Sequence, residues 1–455
     1  MTIKLPDTVR RIIESLERGG FEACAVGGCV RDSLLGRAVH DWDLATSARP
    51  EEVKGCFPDG RILETGLKHG TVTLLLEGRP YEITTYRIDG SYSDGRRPDS
   101  VAFTDRLPLD LARRDFTVNA MAYHPGRGLI DCFGGLDDLR AGRISCVGEP
   151  ERRFEEDALR ILRAVRFSAV LDFSIAPETH SAMEKLCPLL DRLAAERING
   201  ELSRTLTGRA AGRALLENSR IVARIMPELA PAMGFDQRNP HHCLDVWEHS
   251  VRALESAPPE LPVRLALLLH DAAKPLCCTE DEEGVRHFYG HAAESAGLAE
   301  QLLRRLRYDN KTARLVTELV RRHDLPLDCS PKTLRRRLHQ YGADFLRQLI
   351  EVQRADCLAQ AVCLREERLR RLDAVSAALE EILQQAQCFS LKDLAVGGGD
   401  LLALGLPAGP GLGALLDSLL CRVLDGALPN ERGALLAAAR AEIAGQDNQI
   451  RPKLT

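Results

Sequence analysis

The feature that most constrains this chain is a change of hydrophobic period part-way along it. Up to about Gly148, apolar runs of strand length (ACAV before Gly27, TVTLLL at 71–76, YEITTY at 81–86) alternate with helix-like segments and turn signals. From Glu149 the strand signals thin and helical periodicity takes over, as in EEDALRILRAVRF and LAAERINGELSRTL, and it resumes to the end of the chain. This pattern predicts an α+β protein, with a small mixed α/β head followed by all-α segments. At 455 residues the chain exceeds one ordinary domain. The stretch PELAPAMGFDQRNPHH, with three prolines and a glycine, places a joint near residues 227–241. The expected division is a head over 1–148, a helical neck over 149–230, a helical body over 240–326 and a helical tail over 327–455.

Charge narrows the partners. Lys and Arg total 61 against 66 Asp and Glu, a formal charge of −5, so a nucleic-acid contact must use a local basic surface. Residues 304–337 supply one candidate, with 11 basic against 4 acidic side chains. The 14 cysteines form no CxxC pair, which predicts reduced thiols in a cytoplasmic protein, most of them acting as small core hydrophobes. The longest uncharged stretch, Leu401 to Leu416, is broken by Pro407 and Pro410 and falls short of the ~20 apolar residues of a membrane helix. No membrane contact is expected.

Residues 26–46 read VGGCVRDSLLGRAVHDWDLAT. An apolar strand runs into Gly27-Gly28, where backbone N–H groups can approach a phosphate, and then into an amphipathic helix. Asp41-Trp42-Asp43 follows. On a strand, residues two apart share a face, so both carboxylates project together while Trp42 turns away. Paired hard oxygen ligands suit Mg²⁺, and metal ions held this way activate a hydroxyl and neutralise a triphosphate, which is nucleotidyl-transfer chemistry. Glu82, in the next strand-like run, is either a third carboxylate or the partner of a base.

Arg113, Arg114 and Asp115 precede an apolar stretch containing Asn119. On a helical wheel, Asp157, Arg160, Arg163 and Arg166 fall on one side and Leu159, Ile161, Leu162 and Val165 on the other. Three aligned arginines repel one another unless an anion lies over them. A carboxylate and a guanidinium one turn apart can read a base edge, the acid accepting from an exocyclic amine and the arginine donating to ring acceptors. Cytosine and adenine carry that amine, whereas uracil and guanine present a carbonyl. Further on, His270-Asp271 closes an apolar helix, and a neutral imidazole beside a carboxylate is a metal-binding pair.

These motifs, with HGTVTLLLEGRPYEITTYRIDGSYSDGRRPDSVAF, LARRDFTVNAMAY, GGLDDL and ERINGEL, resemble in content and order the class II tRNA nucleotidyltransferases, or CCA-adding enzymes, whose close relatives are the bacterial poly(A) polymerases. The resemblance implies addition of CCA from CTP and ATP to the tRNA 3′ end. An A-adding or CC-adding specialist and a poly(A) polymerase are the alternatives, with a metal-dependent phosphohydrolase of the HD type as main activity a more distant one. It implies that Asp41 and Asp43 bind Mg²⁺, that Gly27, Gly28, Arg31 and Arg114 hold phosphates, and that Asp115 faces the ribose. It also implies that Asp157 and Arg160 select the base with Glu156 orienting them, and that Arg163 and Arg166 touch the triphosphate. The polar run between Arg87 and Val101 would be the loop used for the C-to-A switch. The segments EHSVRAL, LALLLHDAAKP, HFYGHAAES and LVRRHDLP resemble the HD superfamily of metal-dependent phosphohydrolases. That likeness makes the body HD-type and implies His249, His270, Asp271 and Asp324 as ligands of a further divalent transition metal, with His291 either an extra ligand or a surface residue. In the tail, LAVGGGDLL departs from the family in carrying Gly-Gly where a polar residue is expected.

Overall fold

A computed structural model describes residues 2–90, 100–238, 244–361, 365–385 and 390–450. Most of the loop expected between Arg87 and Val101 (residues 91–99) lies outside the described residues. The chain forms two compact units, Met1–Ala230 with Arg304–Tyr308, and Pro231–Leu303 with Asp309–Thr455.

The first unit begins with helix α1 (Asp7–Arg18), which buries Val9, Ile12, Ile13 and Leu16 along one face. Strand β1 (Ala23–Val26), helix α2 (Gly28–Leu34), strand β2 (Asp43–Thr46) and helix α3 (Pro50–Cys56) follow. Next come β3 (Arg61–Gly66), β4 (Thr71–Leu76), β5 (Arg79–Thr85), the ribbon of β6 (Arg87–Asp89) and β7 (Val101–Phe103), and α4 (Leu107–Ala112). Strands β8 (Met121–His124) and β9 (Gly128–Asp131) complete a seven-stranded sheet of order β3-β4-β5-β2-β1-β8-β9. The apolar runs at 23–26 and 71–76 therefore form strands, as does the third run over residues 81–85, as their composition predicts. Every residue of β1 and of β8 is buried, which is why ACAV reads as a continuous apolar run and not as an alternation. Within this sheet β2 and β5 are the one parallel pair, in a register that sets Asp43 opposite Glu82.

Helices then take over: α5 (Gly135–Ala141), α6 (Pro150–Glu156), α7 (Leu159–Leu171), α8 (Pro177–Leu186), α9 (Ala195–Leu206), α10 (Ala211–Glu217) and α11 (Ser219–Ile225). The wheel drawn through residues 156–166 assumes one continuous helix, and here the structure differs. Asp157 is extended (φ −149°, ψ 105°) and separates α6 from α7. Its Oδ1 accepts the Leu159 amide at 3.0 Å, so the side chain supplies the turn that helical periodicity alone would not predict. Helix α7 is also buried nearly all round, Arg160 and Arg166 being each 9% exposed. No outside anion is needed to reconcile its arginines. Glu156 accepts from Arg160 at 2.7 Å, Asp115 from Arg163 at 2.7 Å, and Glu201 from Arg166.

In the second unit, helices α12 (Val246–Ser256), α13 (Leu261–Leu269), α14 (His291–Arg305), α15 (Asn310–Arg321), α16 (Pro331–Tyr341), α17 (Ala343–Ala359) and α18 (Arg365–Gln384) pack about one another, with α17 lying against α12, α13, α15 and α18. Asp245 and Asp309 cap α12 and α15 through the Glu248 and Thr312 amides. Helices α19 (Gly398–Ala403), α20 (Pro410–Leu424) and α21 (Arg432–Ile450) enclose a leucine-rich cluster that includes Leu401, Leu419, Leu420 and Leu435. The Gly398-Gly399 pair opens α19. No described helix is long and apolar enough to cross a membrane. Cys24 and Cys146 sit as free thiols in the core, and burial pushes each up to about 12.

Burial by itself would raise the Asp115 carboxyl, but the Arg163 guanidinium with hydrogen bonds from Asn119 and the Phe116 amide brings it down to about 2. A folded-state value below the ordinary one means that the pair stabilises the fold above about pH 4 and loses that contribution as pH falls towards 2. Asp115→Asn is expected to weaken the first unit by about 3 kcal/mol at neutral pH in urea denaturation, with the gap to the parent chain narrowing between pH 4 and pH 2. Leu44, 1% exposed on β2 beside Asp43, anchors the sheet. Leu44→Ala is expected to lower stability by about 2–5 kcal/mol in the same measurement.

Candidate active sites

In the first unit, Gly27 has φ 78° and stands immediately before α2. A Cβ at this position would lie 2.8 Å from Arg114 Nη1. The positive φ is what calls for glycine here, and the missing side chain also leaves the arginine room to approach. Arg114 brings its guanidinium up to this turn, donates a long 3.4 Å bond from Nη2 to Asp110 Oδ2, and keeps a buried Nε with no hydrogen-bond partner among the described residues. Its neighbour Arg113 is structural, held by Asp110 at 2.8 Å and near Asp89. Arg31 is 8% exposed and also internally tied, bidentate to Asp32 at 2.9 Å and bonded to Asn119 Oδ1.

Asp41 and Asp43 are exposed on either side of buried Trp42, the alternation expected of a strand end. Glu82 is the cross-strand partner of Asp43. Protein packed around the Asp43 carboxyl raises its pKa, the charges of Glu82 and Asp41 add to the rise, and Arg114 opposes it. The sheet thus sets Asp43 and Glu82 side by side on two inner strands, with the charges of Asp41 and Arg114 close enough to be felt. Like charges crowded in this way favour a bound cation.

The neck residues divide differently. Asp115 is 8% exposed and fully engaged by Phe116 N (2.8 Å), Asn119 Nδ2 (3.1 Å) and Arg163 Nε (2.7 Å). Arg166 is tied to Glu201 and lies 3.9 Å over the Phe167 ring. These three serve as fasteners in this structure. Asp157 and Arg160 stand side by side at the junction of α6 and α7. Arg160 is drawn to Glu156 and to the carbonyls of Arg153 (3.1 Å) and Arg113 (3.2 Å).

The second unit holds a separate cluster. His270 Nε2 lies 3.2 Å from Asp271 Oδ2 and 3.6 Å from Asp356 Oδ1, while His249 Nε2 is 2.9 Å from Asp356 Oδ1 and 3.6 Å from Asp271 Oδ2. On the other side of Asp271, its Oδ1 is 3.2 Å from His291 Nε2 and 3.8 Å from His323 Nε2. Two groups of metal-ligand atoms therefore share Asp271: His249, His270, Asp271 and Asp271, His291, His323. In His270, His291 and His323, Nδ1 faces a backbone carbonyl three residues back, at 2.7, 2.8 and 2.7 Å. That bond fixes the tautomer and leaves each Nε2 lone pair turned to the centre, as a metal-binding imidazole requires. His270 Nε2 makes no hydrogen bond of good geometry. Burial would lower the His270 pKa, but the Asp271 and Asp356 carboxylates raise it.

Asp324, expected as a ligand, borders this cluster, with a side chain 61% exposed and oxygens 3.3 Å from His323 Nε2 and 3.5 Å from His291 Nε2. Asp356 is the carboxylate placed against His249 and His270. Sequence reasoning passed over it, although the segment RADCLAQ contains it, because it lies 85 positions after Asp271 with no local pattern to join them. His323 was likewise missed beside Asp324. The cluster opens into a cavity of about 530 Å³ whose walls include Lys274, Arg368 and Arg371.

Family models match three segments: a Poly A polymerase head domain over residues 23–145, a probable RNA and SrmB-binding site of polymerase A over 172–233, and a putative tRNA nucleotidyltransferase domain 2 over 287–439. The CCA-adding enzyme of Levilactobacillus brevis is 37% identical across 95% of this chain and 97% of its own length, and that of Limosilactobacillus fermentum is 35% identical across 95% and 96%. Among solved structures, the Bacillus stearothermophilus CCA-adding enzyme in complex with CTP superposes with a TM-score of 0.72 at 30% identity, over 98% of this chain and 100% of that one. With whole-length identity of this order joined to a common fold, the chain belongs to the CCA-adding enzyme family.

Proposed function

We propose that this protein adds C, C and A, from CTP and ATP, to the 3′ end of tRNA by Mg²⁺-dependent nucleotidyl transfer. The observation that carries this reading is the β2/β5 register, which sets Asp43 beside Glu82 on two inner strands of the sheet, within the influence of the Arg114 charge, Arg114 itself lying against the Gly27 turn. Bound Mg²⁺ would lower the barrier for attack of the tRNA hydroxyl and neutralise the triphosphate. Asp41 and Asp43 would hold the metal. Glu82 adds negative charge next to them. Arg114, with its unsatisfied Nε, and the backbone of Gly27 and Gly28 would hold the phosphates. Asp157 would accept from the exocyclic amine of cytosine or adenine while Arg160 donates to the ring.

A second reading concerns the other unit, favoured by the inward-turned Nε2 atoms around Asp271. His249, His270, Asp271 and Asp356 would hold a divalent transition metal, imidazole and carboxylate suiting such ions. Arg368 and Arg371 on the cavity wall would draw a phosphate ester towards it, giving a phosphohydrolase of the HD type.

Purified protein incubated with Mg²⁺ and tRNA transcripts ending at the discriminator base, at C or at CC is expected to extend each of them to CCA. Asp43→Ala should slow extension by about 10³-fold or more, the scale of several kcal/mol of lost metal stabilisation. A single A added only to the CC-ended transcript would make the enzyme an A-adding specialist, a stop at CC the complementary one, and a long A ladder a poly(A) polymerase. Asp271→Ala is expected to abolish tight binding of Mn²⁺ or Ni²⁺ by the protein, measured as metal retained after dialysis, together with hydrolysis of p-nitrophenyl phosphate, while tRNA extension continues.

A further inference from the structure

The motif ERINGEL has no part in the chemistry above, yet it forms the start of α9 and faces α7. Glu201 accepts from Arg166, and one turn earlier Arg197 Nη2 donates to Asp157 Oδ2 at 2.7 Å. Because Asp157 Oδ1 already caps α7 through the Leu159 amide at 3.0 Å, its carboxylate is fixed from both sides. Each oxygen still has a second lone pair to offer. The other half of the selector is restrained separately. Arg160 is held by Glu156 at 2.7 Å and by two backbone carbonyls, and no ion pair joins Asp157 to Arg160 among the described residues, although they stand one turn apart.

We propose that Arg197 is a specificity-determining positioning residue, which holds the Asp157 carboxylate apart from Arg160 so that an acceptor and a donor face the incoming base without cancelling each other. A base with an exocyclic amine next to ring acceptors satisfies that pattern. Uracil sets a carbonyl against the Asp157 carboxylate and leaves both groups unmatched, the arrangement from which polar sites gain their strongest discrimination. Without Arg197, the freed Oδ2 turns to the neighbouring guanidinium of Arg160, and the acceptor is spent inside the protein.

This inference rests on the reading of Asp157 and Arg160 as the base selector, and the test separates the two. The measured quantity is the ratio of kcat/KM for CTP to that for UTP on tRNA ending at the discriminator base, in the full-length chain, with a thermal melt for each variant. Arg197→Gln is expected to lower the ratio at least about tenfold, through a raised KM for CTP, as loss of a hydrogen bond between charged groups does. Arg197→Lys should fall between that variant and the parent. In an Asp157→Ala background, Arg197→Gln should change the ratio no further. Equal loss with CTP and UTP, or a further fall in the Asp157→Ala background, would overturn the proposal and make Arg197 merely structural. If Asp157→Ala itself keeps the parent ratio, the selector reading fails and takes this inference with it. Should Arg197→Gln not fold, Arg197→Lys carries the test, and a ratio equal to the parent's overturns the proposal.

Discussion

The first unit depends on the neutralisation of helix α7. A helix that carries Arg160, Arg163 and Arg166 through protein interior would be driven out of it by desolvation unless each guanidinium had a counter-charge and further hydrogen-bond partners. The partners come from three different segments: Glu156 at the end of α6, Asp115 ahead of the sheet strand β8, and Glu201 on α9. The same helix contributes Phe167, whose ring meets Phe116 edge-on at 5.7 Å and lies beneath the guanidiniums of Arg31, Arg163 and Arg166. Flat, weakly hydrated guanidiniums can stack on a ring and pair with a carboxylate at once, which an ammonium does less well. The result is a rigid joint between the sheet and the helices. The turn at Asp157 and the position of Arg160 both derive from it.

Those bonds also mark where sequence reasoning stops. The head strands were legible because apolar runs of strand length between turn residues have few other solutions. The shared face of Asp41 and Asp43 was legible because alternation along a strand decides which side chains point together, whereas the place of Glu82 beside Asp43 comes from a strand register that alternation does not predict. The arginines of α7 were visible as a line, but their counter-ions were not, since Asp115 lies 48 positions before Arg163 and Glu201 35 positions after Arg166. A wheel drawn on the helix alone therefore leaves the charges facing outwards. The break at Asp157 was hidden for another reason. A single aspartate can act as a helix residue or as a cap, and the choice is made by packing around it. Asp356 and His323 show the same limit in the second unit, where the metal-ligating geometry draws on helices whose only relation is tertiary.

The two candidate sites also differ in ligand chemistry, and each suits its own unit. On the inner strands of the sheet the available atoms are carboxylate oxygens, hard donors that leave room for water and phosphate around a small cation. In the helical unit they are buried imidazoles oriented by backbone carbonyls, with shared carboxylates between them, donors that bind later transition ions more firmly.

The parallel pairing of β2 with β5 has a consequence for the order in which the enzyme acquires its activity. Antiparallel neighbours such as β3, β4 and β5 can zip from their own short turns, but β2 reaches β5 only across the whole intervening crossover. Asp43 and Glu82 are therefore strangers in the early folding chain, and they become neighbours only when the crossover between them has closed. During synthesis, the segment that contains the paired aspartates leaves the ribosome well before the strand that completes their surroundings. A half-made head carries the acidic motif without the geometry that would let it act on a nucleotide.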